Sequence, residues 1–550
     1  MEQVLTPDSI NVTHLVDPCS DLGYSRIYLD FLAGKSSATR FYLAGSLEEV
    51  ADQLDSRDYP RQQMVGILRK QNSRYNASAE TFVNIDKLAD PRAVCVVSGQ
   101  QAGLLGGPLL TLLKALAVVK AARHYSEQLD RPVIPVFWIA GDDHDFEEAN
   151  HTFLLDRQGG IKRIAYEAAP EPPVPVSSVQ FSDQAELERL LGEVKEILGQ
   201  SDFTPDLYDL LERAYSSKDT FVTAFGQFLA GLTQDLGLVL FSPGDPEAKQ
   251  LATPLFEQFI KRQDQMHDEL VSTNKEISAA GYHIQVEKSD DSSHLFCDLN
   301  GRLPIRRVDG GFAVGDLTFS SDELIARLKS SPDLFSPDVM TRPVLQSYLF
   351  PVLSQKGGPA EIAYLAQLNP LFDLFDLPAP AHKARPSMTI LETRIKGHMD
   401  EMEIAYKDLC GDIEQVINRV LSRTFPENLE HDLNQLRESI AEQYHRFADE
   451  ALVFDPGLKE FSKHKFGKID FALKEFEAKV WSAHKKKSKD TRNRIYRIGA
   501  SLYPDRTMQE RVLNISYFVS RYGTGVIKYI YDHLDSEQTS HQMLSMENFT

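Results

Sequence analysis

Cysteine is scarce in this chain, and what there is has no arrangement for chemistry. Cys19, Cys95, Cys297 and Cys410 lie far apart and form no C-x-x-C pair. A disulfide framework and a cysteine zinc site are therefore disfavoured, and a reducing compartment is the natural home. No run of ~18 uncharged apolar residues occurs, so no membrane span is expected. The first residues, Met1-Glu2-Gln3-Val4, lack a basic region followed by an apolar one. No signal peptide is expected, and a cytoplasmic location is. Basic residues are in deficit: 59 Lys plus Arg against 80 Asp plus Glu leave a net charge of −21. That balance argues against broad nucleic-acid binding while allowing a local basic pocket. G-x-x-x-x-G-K-[ST], G-x-G-x-x-G, H-E-x-x-H and H-x-G-H are all missing. The rest, 42% hydrophobic and 25% charged over 550 residues, has room for two or three domains with sizeable cores.

What is there centres on residues 93–151. Ala93-Val94-Cys95-Val96-Val97 reads as a short buried strand. A loop with four glycines follows, Ser98-Gly99-Gln100-Gln101-Ala102-Gly103-Leu104-Leu105-Gly106-Gly107-Pro108. Leu109 to His124 reads as an apolar helix, with Pro108 at its first turn. Val133 to Ile139 is a second strand, and Ala140 to His151 is dense in acids and histidine. Strand, turn, helix, strand is a βαβ unit, so a parallel pair with a right-handed crossover is expected. Both loops leave the carboxyl end of a strand, where such sheets bind ligands. The two loops are thus predicted to adjoin in one pocket.

Elsewhere the texture divides the chain. An α/β core is expected over 1–390, interrupted by a mainly helical insertion at about 152–232 and a small antiparallel β insertion at about 283–340. The second insertion is marked by turns at Asn300-Gly301 and Asp309-Gly310-Gly311. From 391 to 500 the chain turns to long charged helices. Leu429, Leu433, Leu436, Ile440 and Tyr444 form one apolar seam, and Phe466, Ile469, Leu473, Phe476 and Val480 another. With Pro456-Gly457 between them, an antiparallel coiled-coil hairpin is expected, and its uncovered stripe predicts a homodimer. The basic run 484–489 reads as a solvated helix face. Residues 501–550 are expected to pack back on the core as helices.

Three readings compete for the acid-histidine loop. His144 and His151, flanked by Asp142, Asp143, Asp145, Glu147 and Glu148, could hold a divalent metal. Alternatively, they could bind substrate and stabilise transition-state charge, with histidine as acid or base. The plain reading is a helix start capped by Asp142 or Asp143. A tightly bound protein metal is not expected. Lys114 can reach a phosphate or sit on a wet face. Lys383 and Arg385, with Ser387 and Thr389, could neutralise a triphosphate. Gln100 and Gln101 are candidate substrate ligands, and Glu361, Tyr364 and Gln367 share one helix face. Cys95, mid-strand, reads as core.

These residues resemble a known family. Ser98 to Gly103 with Gly107-Pro108-Leu109 and Lys114, and above all Pro135 to His151, are similar to signatures of the bacillithiol biosynthesis cysteine-adding enzymes. Gly357 to Tyr364, Arg385 to Thr389 and Leu502 to Arg511 resemble later blocks, so the similarity spans nearly the whole chain. It implies a Rossmann-like parallel-sheet core with two connective insertions and a coiled-coil domain through which such proteins dimerise. It also implies a carbon–nitrogen ligase that joins L-cysteine to the amino group of glucosaminyl-malate, the last step of bacillithiol synthesis. Similarity to class I aminoacyl-tRNA synthetases and nucleotidylyl transferases implies ATP, with Mg2+ as its counter-ion. The corresponding nucleotide loops fall at Gly106 to Thr111 and Lys383 to Thr389. The expected site comprises His144, Asp143, Asp145 and Lys114 in catalysis. Gln100, Gln101, Gly103, Gly107, Thr111, Asn150, His151, Glu361, Tyr364, Gln367, Lys383, Arg385, Ser387 and Thr389 are expected to bind substrate or nucleotide. Two other readings are a nucleotide-binding scaffold without turnover, whose helices dock a partner, and a metal-dependent hydrolase.

Overall fold

A computed structural model describes residues 12–17, 19, 22–42, 45–143, 145–170, 174–216 and 218–549. Two compact units emerge: one holds the chain to Glu392 together with Thr507 onward, the other Thr393–Arg506.

The first unit is built on five strands, β1 (Val94–Gln101), β2 (Val133–Ala140), β3 (Val239–Phe241), β4 (Val352–Gly357) and β5 (Ala381–Ala384). They lie in the order β3-β2-β1-β4-β5, every neighbouring pair parallel. This is a Rossmann-like sheet, in which the winding reverses between β1 and β4. That reversal opens a crevice at the carboxyl ends of the strands. β1 is longer than its apolar run. Ser98, Gly99, Gln100 and Gln101 continue the ladder, pairing with Phe137, Trp138, Ile139 and Ala140. Gly99 makes this possible, because a Cβ there would sit 2.5 Å from the Trp138 carbonyl oxygen. Part of the expected loop is therefore strand, and its glutamines are held on a rigid element.

The helix after β1, α1 (Leu109–Leu129), has no internal Gly or Pro. Its Val118, Ala121, Ala122 and Tyr125 bury against Val94, Val96 and Val133. Between β2 and β3 lie the hairpin His151–Leu155/Ile161–Ala165 and the helices Gln184–Leu198, Thr204–Ala214 and Phe221–Leu232. Between β3 and β4, a five-stranded antiparallel sheet spans Ser292–Asp298 to Phe335–Pro337. The strand His541–Ser545 is inserted between Met388–Leu391 and Val12–Val16. Its apolar residues are few, and no periodic signal marks it in the sequence.

Two buried imidazoles give this unit an acid sensitivity. His382, on β5, packs against Tyr42 and Phe372, and neither ring nitrogen has a hydrogen-bond partner among the described residues. Burial pushes it from 6.5 to about 4. Burial likewise brings His541 to about 4, with Arg385 assisting and Glu510 opposing. Both rings take up a proton more readily in the unfolded chain, so stability is full above pH 6.5 and falls as the pH drops towards about 4. The loss is about 1.4 kcal/mol per pH unit for each ring. His382→Leu is expected to flatten the pH dependence of the urea midpoint in that window. An unchanged slope would remove the imidazole from the explanation.

In the second unit, the helices Glu427–Phe454 and Lys459–Lys487 form the expected hairpin, turned at Pro456–Leu458. Tyr444 packs against Phe466 with the rings tilted at 40°, and Phe425 stacks on Trp481. The seam drifts from its sequence reading. Arg437 lies across it, reaching Asp470 at 3.3 Å and Glu477 at 3.4 Å. Leu429, Leu436 and Phe476 are exposed. The ion pairs of Arg437 occupy that edge of the hairpin, where the expected stripe is left open to solvent.

Candidate active site

The crevice at the β1/β4 reversal is a cavity of about 360 Å³. Its floor is the carboxyl ends of three strands: Ser98 to Gln101 of β1, Ala140 of β2, and Gln355 and Lys356 of β4. Asp142, Asp143 and Glu148 enter from the loop after β2. Gln101 Nε2 donates to Glu148 Oε2 at 2.6 Å. The glycine-bearing strand end and the acidic loop therefore adjoin.

At the centre is Lys114, 3% exposed. Its Nζ donates to Gly99 O at 2.8 Å and Gln100 Oε1 at 2.9 Å, and lies 2.6 Å from Glu361 Oε2. An ammonium has three donors, so all are committed. Lys114 thus orients the Gln100 amide instead of reaching a phosphate. Glu361 Oε2 also accepts from the Gly358 N–H at 2.8 Å, which caps Pro359–Leu365. Burial pushes the Lys114 ammonium down, and Glu361 opposes it. Burial would raise Glu361, but Lys114, the Gly358 N–H and Arg342 hold it below the usual carboxylate range.

The antiparallel sheet contributes Arg302. Its guanidinium sits 3.6 Å from the Phe296 ring centroid, donates to Ser336 Oγ and the Pro337 carbonyl, and lies 3.6 Å from Asp143 Oδ1. Asp338 stands beside it, held at about 2. Burial would raise that carboxyl, but His294, Lys288 and the Thr341 N–H outweigh it. Arg342, Gln346, Arg385 and Arg511 complete the wall. Arg302, Arg342, Asp338 and Arg511 carry no site expectation in the sequence. The signals are Arg342-Pro343, a helix start whose apolar surroundings read as core, and Arg511, which closes the last of the resembling blocks.

Two family models match the chain. One describes the bacillithiol biosynthesis BshC N-terminal Rossmann-like domain, over residues 13–386, and the other the BshC C-terminal coiled-coil domain, over 388–546. The chain belongs to the BshC family. A protein of Koribacter versatilis named "Putative cysteine ligase BshC" is 30% identical over 513 residues, covering 92% of this chain and 95% of that protein. Proteins of the same name from Bacillus cytotoxicus and Bacillus thuringiensis are 28% and 27% identical, covering 92% and 94% of this chain and 94% and 98% of theirs.

Within this BshC fold, the residues expected at the site divide. Gln100, Gln101, Asp143, Lys114, Glu361 and Arg385 line the cavity. His144 lies outside the described residues. Asp145 caps the Phe146–Ala149 turn by accepting from the Glu148 N–H, so the cap is neither Asp142 nor Asp143. His151 Nδ1 bonds Glu147 O and Asn150 Oδ1, away from the cavity lining. Among the described residues, no group of three or more His, Cys, Asp or Glu could hold a metal ion.

The residues matched to nucleotide loops turn inward. The Gly107 carbonyl accepts from Asn514 Nδ2, and Thr111 is buried. Gly103 packs against Gly107. Ser387 Oγ and Thr389 Oγ1 lie 2.7 and 2.9 Å from the two ring nitrogens of His541. Lys383 is not in the cavity wall. Arg385 Nη2 donates to the buried Glu510 at 2.6 Å. Tyr364 accepts from Arg342 at 3.1 Å. The Gln367 amide joins Asn274 and the Val286 backbone, a structural tie away from the site. Cys95 is buried, its thiol pushed up to about 12, and belongs to the core.

Proposed function

We propose that this protein is the cysteine ligase of bacillithiol biosynthesis, joining L-cysteine to the amino group of glucosaminyl-malate. ATP, with Mg2+, would activate the cysteine carboxylate, because a carboxylate is a poor electrophile toward an amine in water. The observation that carries the reading is the convergence of Gln100, Gln101, Asp142, Asp143 and Glu148 on one cavity at the sheet's switch point. Amide formation joins the glucosamine nitrogen to the activated carbonyl carbon, expels the activating group and releases a proton from nitrogen. Asp142 and Glu148 favour binding of the acceptor as its ammonium, which must give up one proton to free the attacking lone pair and a second as the amide forms. Asp143 is the carboxylate proposed to take the first, and solvent takes the second. The Gln100 amide, oriented by Lys114, offers its NH2 to the oxygen on which charge develops. His144 is proposed as a second acid or base from its sequence neighbours alone.

Purified protein incubated with L-cysteine, glucosaminyl-malate and ATP is expected to yield the cysteinyl amide, read by mass spectrometry, with one nucleotide consumed per product. No product and no nucleotide turnover would remove the ligase reading. We also propose a homodimer through the helical hairpin, supported by the exposed Leu436, Phe447, Phe471 and Phe476. Light scattering at micromolar concentration is expected to give twice the chain mass. A monomeric mass would overturn it.

A further inference from the structure

Six cations line the cavity: Lys114, Arg302, Arg342, Lys356, Arg385 and Arg511. Four have a carboxylate within 4.0 Å. Lys114 has Glu361, Arg302 has Asp143, Lys356 has Glu537 and Arg385 has Glu510. Arg342 and Arg511 have none among the described residues. Arg342 gives one Nη2 hydrogen bond to the Tyr364 hydroxyl at 3.1 Å, and the Arg511 guanidinium gives none among those residues, its backbone N–H alone donating, to the Met508 carbonyl. In the same wall, Arg385 keeps a buried Nε without a partner. Arg342 and Arg511 are therefore the two cations of this wall without an ion pair among the described residues, and a carboxylate arriving in the cavity would supply one.

We infer that Arg342 and Arg511 form a carboxylate subsite that receives the malyl arm of the acceptor substrate, setting the enzyme's specificity for it. The inference rests on the ligase reading above. A guanidinium fork matches a carboxylate through two parallel hydrogen bonds, and two guanidiniums match a dicarboxylate. The malyl carboxylates are also the anions that persist through the reaction, whereas the cysteine carboxylate becomes an amide. Glu361 and Asp143 both act on Arg342 electrostatically. Their charges disfavour a polyanionic triphosphate at this spot more than a single carboxylate.

The test compares glucosaminyl-malate with methyl glucosaminide, which has the same amine and no carboxylate. In Arg342→Gln and Arg511→Gln, KM for glucosaminyl-malate is expected to rise about 10- to 100-fold, the range of a lost charged hydrogen bond. KM for ATP and L-cysteine should stay at the wild-type value, and the preference for glucosaminyl-malate over methyl glucosaminide should collapse. Arg342→Lys, which keeps charge and loses the fork, should fall between. Arg511 is exposed, so its variant tests the proposal even if Arg342→Gln folds poorly. Calorimetry with L-malate supplies a readout without turnover: binding to the wild type, lost in both glutamine variants. A rise in KM for ATP would assign the pair to phosphate, and equal losses on both amines would make it merely structural. Either result overturns the inference. If the wild type binds L-malate yet makes no product, the ligase reading fails while the carboxylate subsite stands.

Discussion

Replacing Glu510 with alanine is expected to destabilise the protein by about 3–5 kcal/mol, the cost of leaving one member of a buried ion pair alone. Arg385 and Glu510 have side chains only 3% and 1% exposed, with 2.6 Å between Nη2 and Oε1. Glu510 Oε2 also accepts from the Met388 N–H at 2.9 Å. Alanine would strand a guanidinium and an amide in the interior together. Glu510→Gln, which keeps an acceptor without the charge, should lose less. The measurement is the urea unfolding midpoint with the slope held constant. A loss below about 1 kcal/mol for the alanine variant would show that water reaches Arg385 from the cavity. Because Arg385 belongs to the cavity wall, the same substitution should weaken substrate binding.

Lys114→Met should affect both folding and turnover. Three acceptors lose their donor at once, and Glu361 loses its counter-ion. The Glu361 side chain is 23% exposed, so solvent relieves part of its charge. The expected loss of stability is about 2–3 kcal/mol. Cysteine ligation should slow about 100-fold, because the Gln100 amide is no longer held in one orientation. Adding Glu361→Gln removes the stranded charge. The double variant should recover stability without recovering rate. That separation is the telling result, since the two residues are in contact and their effects should not add. Parallel recovery of both quantities would confine Lys114 to folding.

The βαβ core is legible in the sequence because its signals are local. Val94 to Val97 and Val133 to Ile139 are apolar runs of strand length, and α1 carries no helix breaker. The adjacency of the two strand-end loops follows from the rule that ligands sit beyond carboxyl ends. What escapes is convergence from a distance. Lys114 and Glu361 each stand out, but nothing in either neighbourhood says that they meet. Arg302 arrives from an insertion whose turns predict hairpins, not where those hairpins point. Ser387 and Thr389 read toward a nucleotide. Parallel pairing of Met388–Leu391 with His541–Ser545 instead brings their hydroxyls to an imidazole about 150 positions away. In the helical hairpin, the apolar spacing locates the seam, while the intrusion of Arg437 shifts its edge.

The small sheet of Val12–Val16, His541–Ser545 and Met388–Leu391 bears on how the protein is made. Its middle strand is the last of the three to leave the ribosome, so neither outer strand can find its neighbour until residue 545 has emerged. Domains that begin folding from their amino end during synthesis must therefore wait here. A nascent chain stalled short of that point would hold the ligands for Arg385, Ser387 and Thr389 still untranslated or inside the exit tunnel.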